Sequence, residues 1–337
     1  MIEATRPAKL DEIPIIDLKN FNYATTAERD RVVAEISAAC KQAGFLYIIN
    51  HGIEPAAIDR IYNVARNFFA LPEDDKEEIS IKKSGYAFSG FLPTAHIGSD
   101  PTMKSDLHES FQIQANLPEA GTDAKAVAPL DEGNLWPSAM PSLRDDVLEY
   151  RNQVTKLGYH LLELLAAGVG LPTNTFTSRA SDPVSMLRLL HYPPQNKIEE
   201  GGALGTRAHN DTSIITILAQ DSVGGLEILL KNGEWVSAPP VKYSYIINIG
   251  DLMQAWTDGV YVSTPHRVIN RSGAERYSVP FFMNPNYRET FAPIMKNAQP
   301  VTETFQSLIK NPQNLCYGDW VTEVYSRIYN DPTKAAA

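Results

Sequence analysis

Cysteine is scarce in this chain: there are two among 337 residues, Cys40 and Cys316, far apart in sequence. A disulfide-stapled fold is excluded on that ground, and both thiols are expected to stay reduced. Long apolar runs are missing too, so no segment reads as a membrane span. The stretch Met1 to Arg6 lacks the basic-then-apolar order of a signal peptide. Basic runs and basic-aromatic stripes are absent, and 30 Lys plus Arg against 40 Asp plus Glu give a net charge of -10. That balance argues against a nucleic-acid partner and against an anionic membrane surface. What remains is ordinary globular composition, 43% hydrophobic and 21% charged. The expectation is a soluble cytoplasmic monomer with a sizeable core.

Helical signals dominate the first half. Ile13-Pro14-Ile15-Ile16-Asp17-Leu18 reads as an edge strand, and Thr25 with Glu28 forms a capping-box pair ahead of Val32, Val33, Ile36, Ala39 and Cys40 at helical spacing. Gly44 stops that helix, and Phe45 to Ile49 reads as a buried strand closed by Asn50-His51-Gly52, where His51 is read as structural. A second helix follows Pro55 with Ile58, Ile61, Tyr62, Ala65, Phe68 and Phe69 on one face. Residues 84 to 99 suit either a loop over a pocket or a plain surface loop, Asp106 to Ile113 a strand, and Leu117 to Pro141 a long connection. Ser142 and Asp145 are expected to cap a long helix whose stripe runs Val147, Tyr150, Val154, Leu157, Leu161, Leu164, Leu165.

After Pro172 the pattern turns to short strands: Ser185 to Tyr192, Ile214 to Leu218, Leu226 to Leu230, Glu234 to Val236, Tyr243 to Ile249, Val260 to Ile269 and Tyr277 to Met283. Asn232-Gly233 marks a hairpin within them. Helices first and strands later, without alternation, predict an α+β fold with a barrel or double-sheet jelly-roll core and a helical C-terminal stretch.

The chemistry-bearing residues lie in that second half. His209 and Asp211 are two apart, so on a strand end they project to one side. His266 lies several strands further on and can return across the barrel. Two imidazoles and one carboxylate are the facial triad of non-haem Fe(II) oxygenases, with three adjacent coordination positions left open. Ten residues later Arg276 and Ser278 share a strand face, a guanidinium fork and a hydroxyl suited to a carboxylate. Tyr192 ends an earlier strand and offers a further hydrogen bond.

With these residues the chain resembles the Fe(II)/2-oxoglutarate-dependent dioxygenases, and more narrowly the isopenicillin N synthase-like branch. The resemblance covers nearly the whole chain. It runs through Ile13-Pro14-Ile15-Ile16-Asp17, Gly44 to Gly52, Val223-Gly224-Gly225-Leu226, Asn248-Ile249-Gly250-Asp251 and Ser263-Thr264-Pro265-His266-Arg267-Val268. It implies a double-stranded β-helix (jelly-roll) core with helices packed around it. Fe(II) is then held by His209, Asp211 and His266, and 2-oxoglutarate by Arg276 and Ser278, with help from Tyr192.

The resemblance further implies a dioxygenase that hydroxylates, desaturates or cyclises a small molecule in secondary metabolism, with O2 as co-reactant. Relatives that use O2 without 2-oxoglutarate keep the same arginine and serine, so that alternative stays open at this point. Leu190 stands where the family often has Asn. Arg188, two residues earlier on the same face, is a candidate contact for the cosubstrate or for an acidic substrate. Phe282, six residues past Arg276, is a candidate pocket residue, and Phe88, His108, Phe111 and Met253 are weaker ones. His96, His160 and His191 have no partner pattern. The chain is expected to work as one catalytic unit, residues 1–337. Within it lie an N-terminal region (1–115), a backing helix (142–170), the jelly roll (180–290) and C-terminal helices (300–330).

Overall fold

The structure is a computed structural model, and it describes residues 5–84, 88–94, 106–114, 133–195, 202–296 and 315–329. Its strands form two facing sheets. The larger runs in the order β2 (Ile15–Asp17), β3 (Phe45–Ile49), β11 (Tyr245–Ile249), β8 (Ile215–Gln220), β13 (Arg276–Met283), β6 (Met186–Tyr192), β5 (Glu109–Gln114), β4 (Gly90–Leu92). The smaller runs β1 (Arg6–Pro7), β10 (Trp235–Ser237), β9 (Leu226–Leu229), β12 (His266–Val268), β7 (Thr206–His209). From β6 onward the chain steps back and forth between them: β6, β8, β11 and β13 lie in the larger sheet, and β7, β9, β10 and β12 in the smaller. This is the double-sheet jelly roll that the strand spacing predicted, inside an α+β fold.

Both faces of the larger sheet are covered, and the sequence alternates accordingly. On β8, Ile215, Ile217 and Ala219 join the main hydrophobic core, whereas Thr216 and Leu218 face the space between the sheets. That space holds a second, smaller core of Ile13, Phe45, Tyr47, Leu190, Tyr192, Leu226, Ile228, Val236, Ala238, Ile246 and Val268. Three helices back the other face: α1 (Thr26–Gln42), α2 (Pro55–Phe69) and α4 (Leu143–Gly168); short α3 (Glu73–Glu77) and α5 (Asn174–Thr177) connect.

The predicted stripe of α4 is buried throughout. Each such side chain contributes about 1.5–3 kcal/mol, and truncating Leu157 to alanine is expected to cost about 2–5 kcal/mol. Gly158 lets this helix lie directly on β13, since a Cβ there would sit 2.4 Å from the sulfur of Met283.

Thr25 caps α1 as expected, its hydroxyl accepting from the Glu28 amide at 3.1 Å. Several other expectations need correction. Ser142 makes no side-chain cap on α4; it is already helical, and Asp145 and Asp146 in the first turn favour the helix dipole instead. The strand expected over Val260 to Ile269 is only His266–Val268, because Tyr261 turns into the helical core and donates to the Leu165 carbonyl at 2.9 Å. A helix, α6 (Asp251–Trp256), follows β11 directly, and part of the expected pocket loop is strand β4. The C-terminal stretch forms α7 (Tyr317–Tyr329). The expected helix over Val301 to Leu308, most of the connection from Leu117 and His96 lie outside the described residues.

Candidate active site

His209 is the last residue of β7 and His266 the first of β12, and the two are direct partners across that antiparallel pair. Their rings lie 4.3 Å apart. Asp211 lies two residues beyond the strand end. Its Oδ1 is 3.5 Å from Nε2 of His209 and 3.7 Å from Nε2 of His266. Ligand atoms from the three residues all lie within 4.8 Å of one another.

The surrounding hydrogen bonds aim these atoms. Nδ1 of His209 faces the Arg207 carbonyl at 2.8 Å, and Nδ1 of His266 faces the Thr264 carbonyl at 3.1 Å. A carbonyl only accepts, so each Nδ1 carries the proton and each Nε2 presents a lone pair. Asp211 Oδ2 accepts from the Thr216 hydroxyl at 2.6 Å and the Asn248 amide at 2.7 Å, which leaves Oδ1 to face the rings. Burial alone would push the Asp211 carboxyl up, but His266, His209 and the Thr216 hydroxyl more than offset it and hold it far below the usual range. His266 is pushed down to about 4 by burial, as suits a neutral imidazole ligand. The loop is held in place by the Asp251 amide, which donates to the Asp211 carbonyl at 2.7 Å. Gly250 permits that approach, since a Cβ there would meet the Ser213 carbonyl at 2.0 Å. Two imidazole nitrogens and one carboxylate oxygen, each fixed from behind, fit Fe(II).

A second pole lies deeper in the same cavity. Arg276 is fully buried; its Nε donates to the Gly224 carbonyl, its Nη1 to the Ser278 hydroxyl at 3.2 Å, and its guanidinium covers the Tyr192 ring at 4.5 Å. Its Nη2 has no partner, and no carboxylate pairs with this cation among the described residues. A buried guanidinium left so is costly unless an anion joins it. The distal carboxylate of 2-oxoglutarate fits that need.

Arg188, Phe282 and His108 line the cavity along with both poles. Arg188 sits over the Phe282 ring at 5.7 Å. Three weaker candidates fall elsewhere. Phe88 and Met253 are buried in the helical core, and Phe111 packs there against Phe68 at 5.0 Å between ring centres. Their side chains point to the other face of the large sheet or behind it, so none lines the cavity.

His51 is structural, bridging the Tyr243 carbonyl at 2.9 Å and the Ile53 amide at 3.2 Å. His160 stacks on Phe21. His191 does have partners, Glu109 at 2.7 Å and Glu275 at 2.5 Å. The sequence alone points to no role for Thr216, Asn248 or Gly224. Strand alternation is the available signal for Thr216, and the run Asn248-Ile249-Gly250-Asp251 is the signal for Asn248.

Comparisons with known proteins agree with this geometry. The model of the 2OG-Fe(II) oxygenase superfamily matches residues 183–285, and that of the N-terminal region of the non-haem dioxygenase in morphine synthesis matches residues 13–139. The chain is 33% identical over 296 residues to the 2-oxoglutarate-dependent dioxygenase citB of Monascus ruber, covering 85% of this chain and 89% of that one. It is 33% identical over 287 residues to the 2-oxoglutarate-dependent dioxygenase caaD of Aspergillus niger, covering 83% and 86%. Among solved structures, a full-length Neurospora crassa protein in complex with α-ketoglutarate superimposes with a TM-score of 0.81 at 25% identity, covering 97% of this chain and 100% of that one. The chain belongs to the 2OG-Fe(II) oxygenase superfamily. It is an oxidoreductase, a dioxygenase dependent on Fe(II) and 2-oxoglutarate, and the alternative without that cosubstrate finds no support among these relatives.

Proposed function

We propose that His209, Asp211 and His266 hold the iron, and that Arg276 and Ser278, with Tyr192 beneath the guanidinium, take the distal carboxylate of 2-oxoglutarate. The observation that carries this reading is the pairing of three converging ligand atoms with a buried, uncompensated arginine in one cavity. Iron with its cosubstrate supplies O2 activation coupled to decarboxylation of 2-oxoglutarate to succinate and CO2. The protein's part is positional: Thr216 and Asn248 turn Asp211, main-chain carbonyls fix both imidazole tautomers, and apolar residues such as Phe45, Leu218 and Val268 limit water.

The prime substrate is read as a small molecule of secondary metabolism entering beside Arg188 and Phe282, oxidised by hydroxylation, desaturation or ring closure. The chain is read as one catalytic unit working as a monomer in the cytoplasm. In support, β3 of the N-terminal region is hydrogen-bonded into the larger sheet beside β11. Among the described residues no helix is long and apolar enough to cross a membrane. The test is stoichiometry: candidate substrates incubated with Fe(II), O2 and 2-oxoglutarate are expected to raise succinate in step with oxidised product. Product formed with no 2-oxoglutarate consumed contradicts it.

A further inference from the structure

The same wall of the cavity as Arg276, on the far side of Tyr192, carries a histidine whose hydrogen bonding is half finished. His108 is buried, 3% exposed, and stands just before β5 with its ring against Tyr192 at 5.2 Å. Its Nδ1 lies 2.7 Å from the Gly205 carbonyl, an atom that only accepts, so Nδ1 carries the proton. Nε2 is therefore a bare acceptor, and it has no partner among the described residues although the residue lines the iron cavity. Burial holds this ring neutral by pushing it down to about 3, so Nε2 is not a donor at working pH. Ser110 and Gln112, further along β5, also hold buried oxygens without a partner. Gln112 spends its amide NH2 on the Phe88 carbonyl, which leaves its oxygen the idle atom. Nine in ten or more buried polar groups are paired in folded proteins, so the idle His108 Nε2 on the cavity wall points to the ligand.

The cavity's occupants differ in what they can donate. 2-Oxoglutarate bears two carboxylates and a ketone, all acceptors. We propose that His108 Nε2 accepts a hydrogen bond from the prime substrate, which must therefore carry a hydroxyl or N–H group. The enzyme then discriminates against the same molecule methylated at that position. This inference rests on the iron and 2-oxoglutarate reading above. A site built to pair a donor rejects an analogue lacking it strongly, because the acceptor is left buried and unpaired.

The test uses matched probes, phenol against anisole and benzamide against N,N-dimethylbenzamide, titrated anaerobically into the protein loaded with Fe(II) and 2-oxoglutarate. The metal-to-ligand absorption band of that complex reports binding. His108→Asn places an amide where Nδ1 was and keeps the bond to Gly205 but removes the outer acceptor. His108→Gln places its amide oxygen where Nε2 was. The native protein is expected to bind the donor probes at least tenfold more tightly than their methylated partners. His108→Gln should keep that preference, and His108→Asn should lose it with the band intact. No preference in the native protein, or a preference kept in His108→Asn, overturns the proposal. So does a raised 2-oxoglutarate requirement in His108→Asn, which would put the ring on the cosubstrate. Failure of the native protein to form the band at all instead sinks the underlying iron and cosubstrate reading.

Discussion

The two poles of the cavity are finished to different degrees. At the iron pole every supporting atom is spoken for: both Nδ1 atoms meet carbonyls, and Asp211 Oδ2 takes two donors. At the arginine pole Nη2 of Arg276 is idle and its charge uncompensated among the described residues. The first pole is preorganised by the protein itself, so its geometry is present before a metal arrives. The second has an unpaired Nη2, and on the proposed reading it stores an electrostatic cost that cosubstrate binding relieves. Binding and folding therefore pull in opposite directions at Arg276 and together at Asp211.

Mutations at each pole can break that contrast. The largest effect is expected from His266→Ala, which removes one of three ligands and should abolish both turnover and the absorption band of the Fe(II)–2-oxoglutarate complex; an undiminished band means the ligands are misassigned. Next comes Arg276→Met, expected to weaken 2-oxoglutarate binding by about 2–5 kcal/mol while raising the melting temperature of the ligand-free protein, because an uncompensated buried charge is gone. Unchanged cosubstrate dependence would remove the arginine from its role, and a fall in melting temperature would mean its charge is compensated after all. Asn248→Leu strips one donor from Asp211 and should lower iron affinity by about 10–100-fold, measured by competition with a chelator. No change there would leave Thr216 as the sole support of that carboxylate.

The smallest effect lies on the sheet's other face. Burial lowers the basicity of His191, but Glu109 and Glu275 more than offset it and raise its pKa. A raised folded pKa stabilises below the unfolded value of about 6.5 and is lost as pH climbs through the folded one. His191→Phe keeps the stack on Tyr277, so its melting temperature should fall by roughly 2 °C at pH 6 and match the native protein's at pH 9. A deficit of equal size at both values would assign the loss to packing.

How far the sequence carried the reading depended on which period the residues obeyed. The stripe of α4 and the alternation of β8 were legible because one face of each had to be buried in a recognisable layer. The triad was legible because the spacing of His209 and Asp211 survives any strand register. Helix α6 was hidden: six residues are too short to display a helical period, and they continue the apolar texture of β11. Phe111 misled for a different reason. Both faces of β5 are buried, so the usual association of apolar with inward fails. Phe111 faces the helical core, and β5 offers Ser110 and Gln112 on the alternate face. Which face a strand turns to the cavity is a matter of register, and a shift of one residue reverses it.

The most direct measurement is an anaerobic titration of the native protein with Fe(II) and 2-oxoglutarate, followed by absorption and repeated with Arg276→Met. The expected result is a band that needs both additions, saturates at one iron per chain and requires far more cosubstrate in the variant. A native protein that binds iron but gives no band with 2-oxoglutarate, or a variant indistinguishable from it, would contradict a cavity with one finished pole and one that waits for its ligand.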